Sequence, residues 1–365
     1  MSARSRSRRA RAAIVWTIGW YVFLQIAVVV GMEVFRPLAF DREAMARREL
    51  LDARRAERPG SDLLIVVGSS RIGLGFLPGQ LPPLCSPEGR EVIVFNESHL
   101  SAGPRGNLVR VERLFRDGVT PRWLVLESIP GGMTHEGVPA SQASFGDLPA
   151  LCRHADRLKV LSIYGRERLN VISKHRQFLL GEIAPAFVTR GPESNVVRLE
   201  PLGDDRLWMR RDDLPAEKLD LLARMAEQTY RPRLAEWSVD PDLDTALRET
   251  LDLCREKGIP TVVVLTPESG RFRGWYSGET AKQVADYYTR LSRETGVPVV
   301  DARDWVADTG FNDPHHLNTQ GARLFTARLD REVLRPLTGG WVVPRWESRA
   351  SSSSSVPSSE RAGGK

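Results

Sequence analysis

Asp62-Leu63-Leu64-Ile65-Val66-Val67-Gly68-Ser69-Ser70-Arg71 decides how the rest of this 365-residue chain is read. A run of aliphatic residues with no polar alternation marks a strand buried on both faces. Glycine and two serines end it, which suits a tight turn into a helix. Working outward, EVIVFN (91–96), RWLVLES (122–128), TVVVLT (261–266) and VPVVDA (297–302) repeat the pattern. Helix candidates separate them at 105–117, 242–257, 279–294 and 319–334. Strands alternating with helices predict an α/β fold, a three-layer α/β/α sandwich around a parallel five-stranded sheet. Residues 131–240 break the rhythm with Gly, Pro and charged loops and read as a mainly helical insertion.

Toward the N-terminus the chemistry changes. Arg4, Arg6, Arg8, Arg9 and Arg11 precede AAIVWTIGWYVFLQIAVVVGM, the uncharged stretch Ala12–Met32. At about 1.5 Å per residue this stretch matches a hydrocarbon core of about 30 Å. It is too long for the apolar part of a cleaved leader, and no small-x-small site follows it. The expected organisation is therefore a cytoplasmic basic tail (1–11), a transmembrane signal anchor (12–32) and a charged, helix-prone stalk (33–60). A periplasmic or extracellular domain (61–346) and a disordered Ser-rich tail (347–365) complete it. The arginines, on the cytoplasmic side, orient the chain in a cytoplasmic membrane.

Composition narrows the function. The net charge of +6 resides almost wholly in those five arginines, which leaves the body within one charge of neutral. Nucleic acid is thus excluded as the leading partner. Three cysteines, Cys85, Cys152 and Cys254, allow at most one bridge, and no Cys/His spacing calls for a metal or other cofactor.

Reactive groups in such a sheet gather where strands end and helices begin. Ser70 stands at the first strand end. Phe311-Asn312-Asp313-Pro314-His315-His316-Leu317-Asn318 stands just before the last helix. An Asp three residues ahead of a His, in a turn stiffened by proline, can fix the imidazole tautomer and turn its other nitrogen outward as a base. A serine hydroxyl needs such a base before it can attack. Either motif alone is ordinary turn chemistry; the two together at matching ends of one α/β pattern point to a Ser-His-Asp site.

Gly68-Ser69-Ser70, Gly103 within FNESHLSAGP (95–104) and the DPHHLN run together resemble the SGNH/GDSL hydrolase superfamily. The similarity spans residues 62–130 and 240–335. With the single N-terminal anchor, it points more narrowly to membrane-anchored SGNH-like proteins of bacterial cell envelopes. The resemblance implies an SGNH/flavodoxin-like sheet, Ser70 as nucleophile, His316 as base and Asp313 as its orienting partner. It also implies an oxyanion hole from the amides of Ser70 and Gly103. The chain departs from the family after the third strand. Leu126-Glu127-Ser128-Ile129-Pro130 holds no asparagine for the second oxyanion donor, a loss of about 3 kcal/mol unless Asn96 or Arg71 substitutes. Arg71 and Glu268 are candidate substrate contacts.

The expected activity is that of a serine esterase or O-acyltransferase acting on an acylated envelope glycan or lipid-linked substrate. The alternative is a non-catalytic SGNH-like scaffold that binds polysaccharide or supports an envelope assembly complex.

Overall fold

The computed structural model describes residues 3–169, 171–183 and 214–340. The expected Ser-rich tail and residues 184–213 of the insertion lie outside them. Helix α1 (Ala3–Phe35) and α2 (Arg42–Glu57) precede the sheet strand β1 (Asp62–Gly68). Then come α3 (Ser70–Gly75), β2 (Val92–Ser98), α4 (Pro104–Arg116) and β3 (Trp123–Ser128). The insertion supplies α5 (Leu148–Arg153), α6 (Arg157–Arg168), α7 (Val171–Lys174), α8 (Arg176–Ile183) and α9 (Ala216–Ala235). The chain returns through α10 (Pro241–Glu256), β4 (Thr261–Leu265), α11 (Gly270–Arg273), α12 (Gly278–Thr295) and β5 (Val299–Asp301). A short hairpin, β6 (Phe311–Asp313) and β7 (His316–Leu317), leads into α13 (Thr319–Leu329), one π-helical turn and α14 (Arg335–Thr338).

Strands β1 to β5 form one parallel sheet in the order β2-β1-β3-β4-β5. Leaving β1, the chain goes first to one side and then to the other, so the loops after β1 and β3 diverge and open a crevice at their C-terminal ends. The unbroken aliphatic runs serve both faces. Leu63, Ile65 and Val67 pack with Val111 and Leu114 of α4, Leu247 and Leu251 of α10, and Val284 and Leu291 of α12. Leu64 and Val66 pack on the other side with Ile72 of α3 and with Phe325 and Leu329 of α13. Each such side chain contributes about 1.5–3 kcal/mol of burial, which fixes the register of β1 at the sheet centre.

Within α1, Arg11–Phe35 is long and apolar enough to cross a membrane, and almost none of it is buried against protein. The segment that follows departs from expectation. Residues 33–60 do not stand clear of the domain as a stalk. Leu51 of α2 joins the first core, and the buried Arg47 donates through Nη1 to the Asn96 carbonyl at 2.5 Å. Asp41, buried at the start of α2, accepts from Arg113 at 2.6 Å and Arg110 at 3.2 Å, both on α4. Alternating charges along α2 read locally as a solvated helix; the buried arginines that meet them come from α4, about 70 residues away, and leave no mark on the local pattern. The three cysteines are unpaired.

Candidate active site

Helix α3 begins at once after β1 because Ser69 caps it, its hydroxyl accepting from the Arg71 amide at 3.1 Å. Gly68 is obligatory at this join. A Cβ there would lie 2.8 Å from the Cβ of Glu127 on β3 and 2.7 Å from the Ile72 side chain. Ser70, the first residue of α3, is thereby presented half-buried above the end of the sheet.

The other half of the site is built by the β6–β7 hairpin. Asp313 pairs with His316 across it. One carboxylate oxygen, Oδ1, accepts from the His315 and His316 amides at 3.0 and 2.9 Å, so the turn is held by the same side chain that holds the ring. His316 Nδ1 lies 2.7 Å from Asp313 Oδ2, and Nε2 lies 2.9 Å from Ser70 Oγ. The hairpin is pinned to the sheet end by Ser269, whose N–H and hydroxyl both donate to the Pro314 carbonyl, at 3.1 and 2.8 Å. From the other side, Leu317 of β7 packs near Gly75 of α3, and the Leu77 amide donates to Thr326 Oγ1 of α13. Residues 246 positions apart in sequence thus come within hydrogen-bond reach.

Such an arrangement can supply a nucleophile, a base and an orienting acid. With Nδ1 facing a carboxylate, the proton of a neutral ring sits on Nδ1 and Nε2 is left to accept from Ser70. Asp313 and His316 are buried and Ser70 is partly open, which places the hydroxyl at the accessible end of the chain of bonds.

Two of the other oxyanion candidates are engaged elsewhere. The Asn96 side-chain amide donates to the carbonyls of Ile72 and Phe76 at 3.2 and 3.1 Å, closing the C-terminus of α3. The Gly103 N–H donates to Glu136 Oε1 at 2.8 Å. The same carboxylate takes the amides of Arg105 and Gly106 at 2.8 and 3.0 Å, so a buried glutamate fills the N-terminus of α4. Burial pushes the Glu136 carboxyl up from its ordinary range despite these three donors. A Cβ at residue 103 would meet Glu136 at 2.8 Å, so glycine is needed for this seat.

Arg71 does not reach solvent. It is buried, with Nη1 3.3 Å from Glu268 Oε1 and its guanidinium 4.7 Å from the centre of the Phe272 ring. Tyr276 donates its hydroxyl to the same Glu268 oxygen at 3.0 Å. Burial alone would lower the Arg71 pKa, but the adjoining Glu268 reverses the direction. The pair lies close to the site, because Phe272 and Tyr230 also stack beside His315, the neighbour of His316.

Sequence reasoning missed Glu127 and Glu136. Glu127 is buried beneath the Gly68–Ser70 turn, where Oε2 accepts from the Ser69 amide and Oε1 from the Thr266 hydroxyl at 2.8 Å. Burial pushes its carboxyl up, more than the Ser69 bonds and nearby Arg71 pull it down. An acid closing the otherwise apolar WLVLE strand was the available signal. Glu136 gave none, since its partners lie about 30 residues back.

A metal is the other chemistry these residues could support. Donor atoms of Asp313, His315 and His316 lie within 4.8 Å of one another. Asp313 is already occupied by two amides and an imidazole, which leaves a poor ligand set.

Comparison with known proteins adds the following. One protein-family model matches residues 219–338, less than half of the chain; the span includes Glu268, Asp313 and His316 but not Ser70 or Gly103. None of the curated proteins matches in sequence. Among solved structures, the chain is similar to a candidate acylhydrolase from Bacteroides fragilis at 10% identity, covering 78% of this chain and 94% of that one with a TM-score of 0.36. At that level the likeness adds nothing to the geometry above.

Proposed function

We propose that the chain is an SGNH-type serine esterase or O-acyltransferase, tethered through α1 and working outside the cytoplasm on an acylated envelope glycan or lipid-linked substrate. The observation that carries this reading is the unbroken contact from Ser70 Oγ through His316 to Asp313, at 2.9 and 2.7 Å. Ser70 attacks the ester carbonyl while His316 Nε2 takes its proton. Asp313 stabilises the imidazolium that forms, and the proton passes to the leaving alcohol as the acyl-serine is made. Water as second acceptor gives a deacylase; a sugar hydroxyl gives a transferase. The Ser70 amide, at the first turn of α3, is the oxyanion donor within this scheme. Turnover of an activated acetyl ester tests it: wild type hydrolyses the ester, and Ser70→Ala and His316→Ala each reduce the rate to background.

The second reading, a non-catalytic scaffold, draws on one observation. Asn96 and Gly103, which would supply the rest of the oxyanion hole, are both bonded elsewhere. A folded wild type that turns over no ester, yet binds an acylated polysaccharide, would select this reading.

A further inference from the structure

Helices α6, α7 and α8 take no part in the chemistry above, and two of them lie against α1 rather than against the sheet. Val171 of α7 is buried with Met32, Ala39 and Phe40, and Ile172 and Leu179 pack there beside Val28 and Val29. The Ile172 amide donates to Gln25 Oε1 at 3.3 Å, and Gln25 is 6% exposed. Gln25 to Met32 is the domain-side third of the apolar run. With the run matched to a core of about 30 Å, Gln25 sits roughly 10 Å inside it, at the depth of acyl chains. What packs on Gln25 shares that depth.

The side chains these helices leave uncovered suit such a place. Leu158, Leu161, Leu169 and Leu180 are 79, 50, 76 and 43% exposed. They are four of the nine large hydrophobic side chains exposed outside α1 among the described residues. Phe145 is exposed beside them, at an apolar cavity of about 660 Å³ walled by Val30, Val34 and Phe35 of α1 and by Tyr164 of α6. From Asp156 to Leu180 the exposed charged side chains described are five basic groups, Arg157, Lys159, Arg166, Lys174 and Arg176, against Asp156 at the α6 cap, and Lys174 is paired with the partly buried Glu167 at 2.7 Å. Leucines to enter hydrocarbon and cations to meet phosphates are the composition of an element lying in a membrane interface.

We propose that α6–α8 seat the domain in the leaflet on its own side of the membrane. Leu161, Leu169 and Leu180 enter among the acyl chains, and the basic groups lie at the level of anionic lipid phosphates. This rests on the reading of α1 as a membrane span. The domain is then held at a fixed height and tilt, not on a swinging tether. Glu33, where the apolar run ends, reinforces this by accepting from the Phe145 amide, the Tyr164 hydroxyl and Arg168 at 2.8, 2.7 and 3.0 Å.

Spin-label accessibility tests the seat in the full chain, reconstituted in phosphatidylcholine–phosphatidylglycerol nanodiscs with Cys85 and Cys152 replaced by serine. Labels are placed by L161C, L169C and L180C, by I18C within α1, and by Q283C on the solvent-facing side of α12 as the aqueous control. The expected result is a ratio of oxygen to aqueous nickel-chelate collisions several-fold above Q283C at I18C and at all three leucine positions. Membrane-like I18C with water-like L161C, L169C and L180C would overturn the seat and leave the anchor standing. Water-like I18C would overturn the anchor and the seat with it. Leucine positions shielded from both reagents would place protein there instead of lipid and would also overturn the seat.

Discussion

Asp313 and Asp41 each hold a buried histidine, and only at Asp313 does the ring also reach a serine hydroxyl. In the first, His316 Nδ1 meets Asp313 at 2.7 Å and Nε2 meets the Ser70 hydroxyl at 2.9 Å. In the second, His99 Nε2 meets Asp41 at 3.1 Å, while Nδ1 faces the Leu100 carbonyl at 3.0 Å. Both nitrogens of His99 face oxygen acceptors of the fold, so neither meets a hydroxyl. Around it Asp41 also receives Arg110 and Arg113, and the cluster clamps α2 to α4. The carboxylate does not make a histidine a base. The partner of the other nitrogen does.

Substitutions should break the two pairs differently. The largest effect falls on Asp313→Asn, which keeps the shape of the turn but favours the wrong tautomer. Ester turnover should drop about 10⁴-fold with little change in the urea midpoint. Asp41→Asn should do the reverse. Removing one member of a buried ion cluster costs about 3–5 kcal/mol of stability, read as a lower urea midpoint, while the rate per folded molecule holds. Equal rate losses in the two variants would erase the distinction.

Acid sharpens the same contrast. Burial alone would push the Asp41 carboxyl up, but Arg110, the His99 hydrogen bond and Arg113 hold it well below its ordinary value of 3.8. Asp147, bonded to Arg113 and Arg116, is lowered as well. A carboxyl lowered by folding contributes stability at pH above its unfolded value, and that contribution is lost as pH falls below it. Glu43, raised by burial, has the opposite sign: its contribution is present below 4.5 and lost as pH rises through its folded value. Urea midpoints should therefore fall steeply below pH about 4, and less steeply in Asp41→Asn. The smallest effect is expected at Glu136→Gln. One carbonyl still accepts from the α4 amides, so the cost should be about 1–2 kcal/mol with turnover within a few-fold of wild type. A marked rise in turnover would mean that the Gly103 amide joins the reaction once the carboxylate is neutralised.

Much of this was legible in the chain because it is local. Each of the five strands lies within two residues of its apolar run, since burial on both faces leaves no polar alternation to misread. The Asp313–His316 turn is written in four consecutive residues. What could not be read depends on contacts between distant segments. Asn96 follows an apolar run much as a donor would, but the end of α3 claims its amide. Arg71 follows Ser70, yet its side chain turns inward to Glu268, which is 197 positions away. Residues 33–60 are charged and helical in sequence, and only contacts with distant segments, the core around Leu51, the Asn96 carbonyl and the arginines of α4, show that α2 packs on the sheet domain.

The most direct test of the central claim is fluorophosphonate labelling of the full-length protein followed by peptide mapping. A phosphonylated Ser70 is expected in wild type, and no adduct in His316→Ala even though its serine is intact. Labelling that persists in Ser70→Ala, or a folded wild type that takes no label, would contradict it.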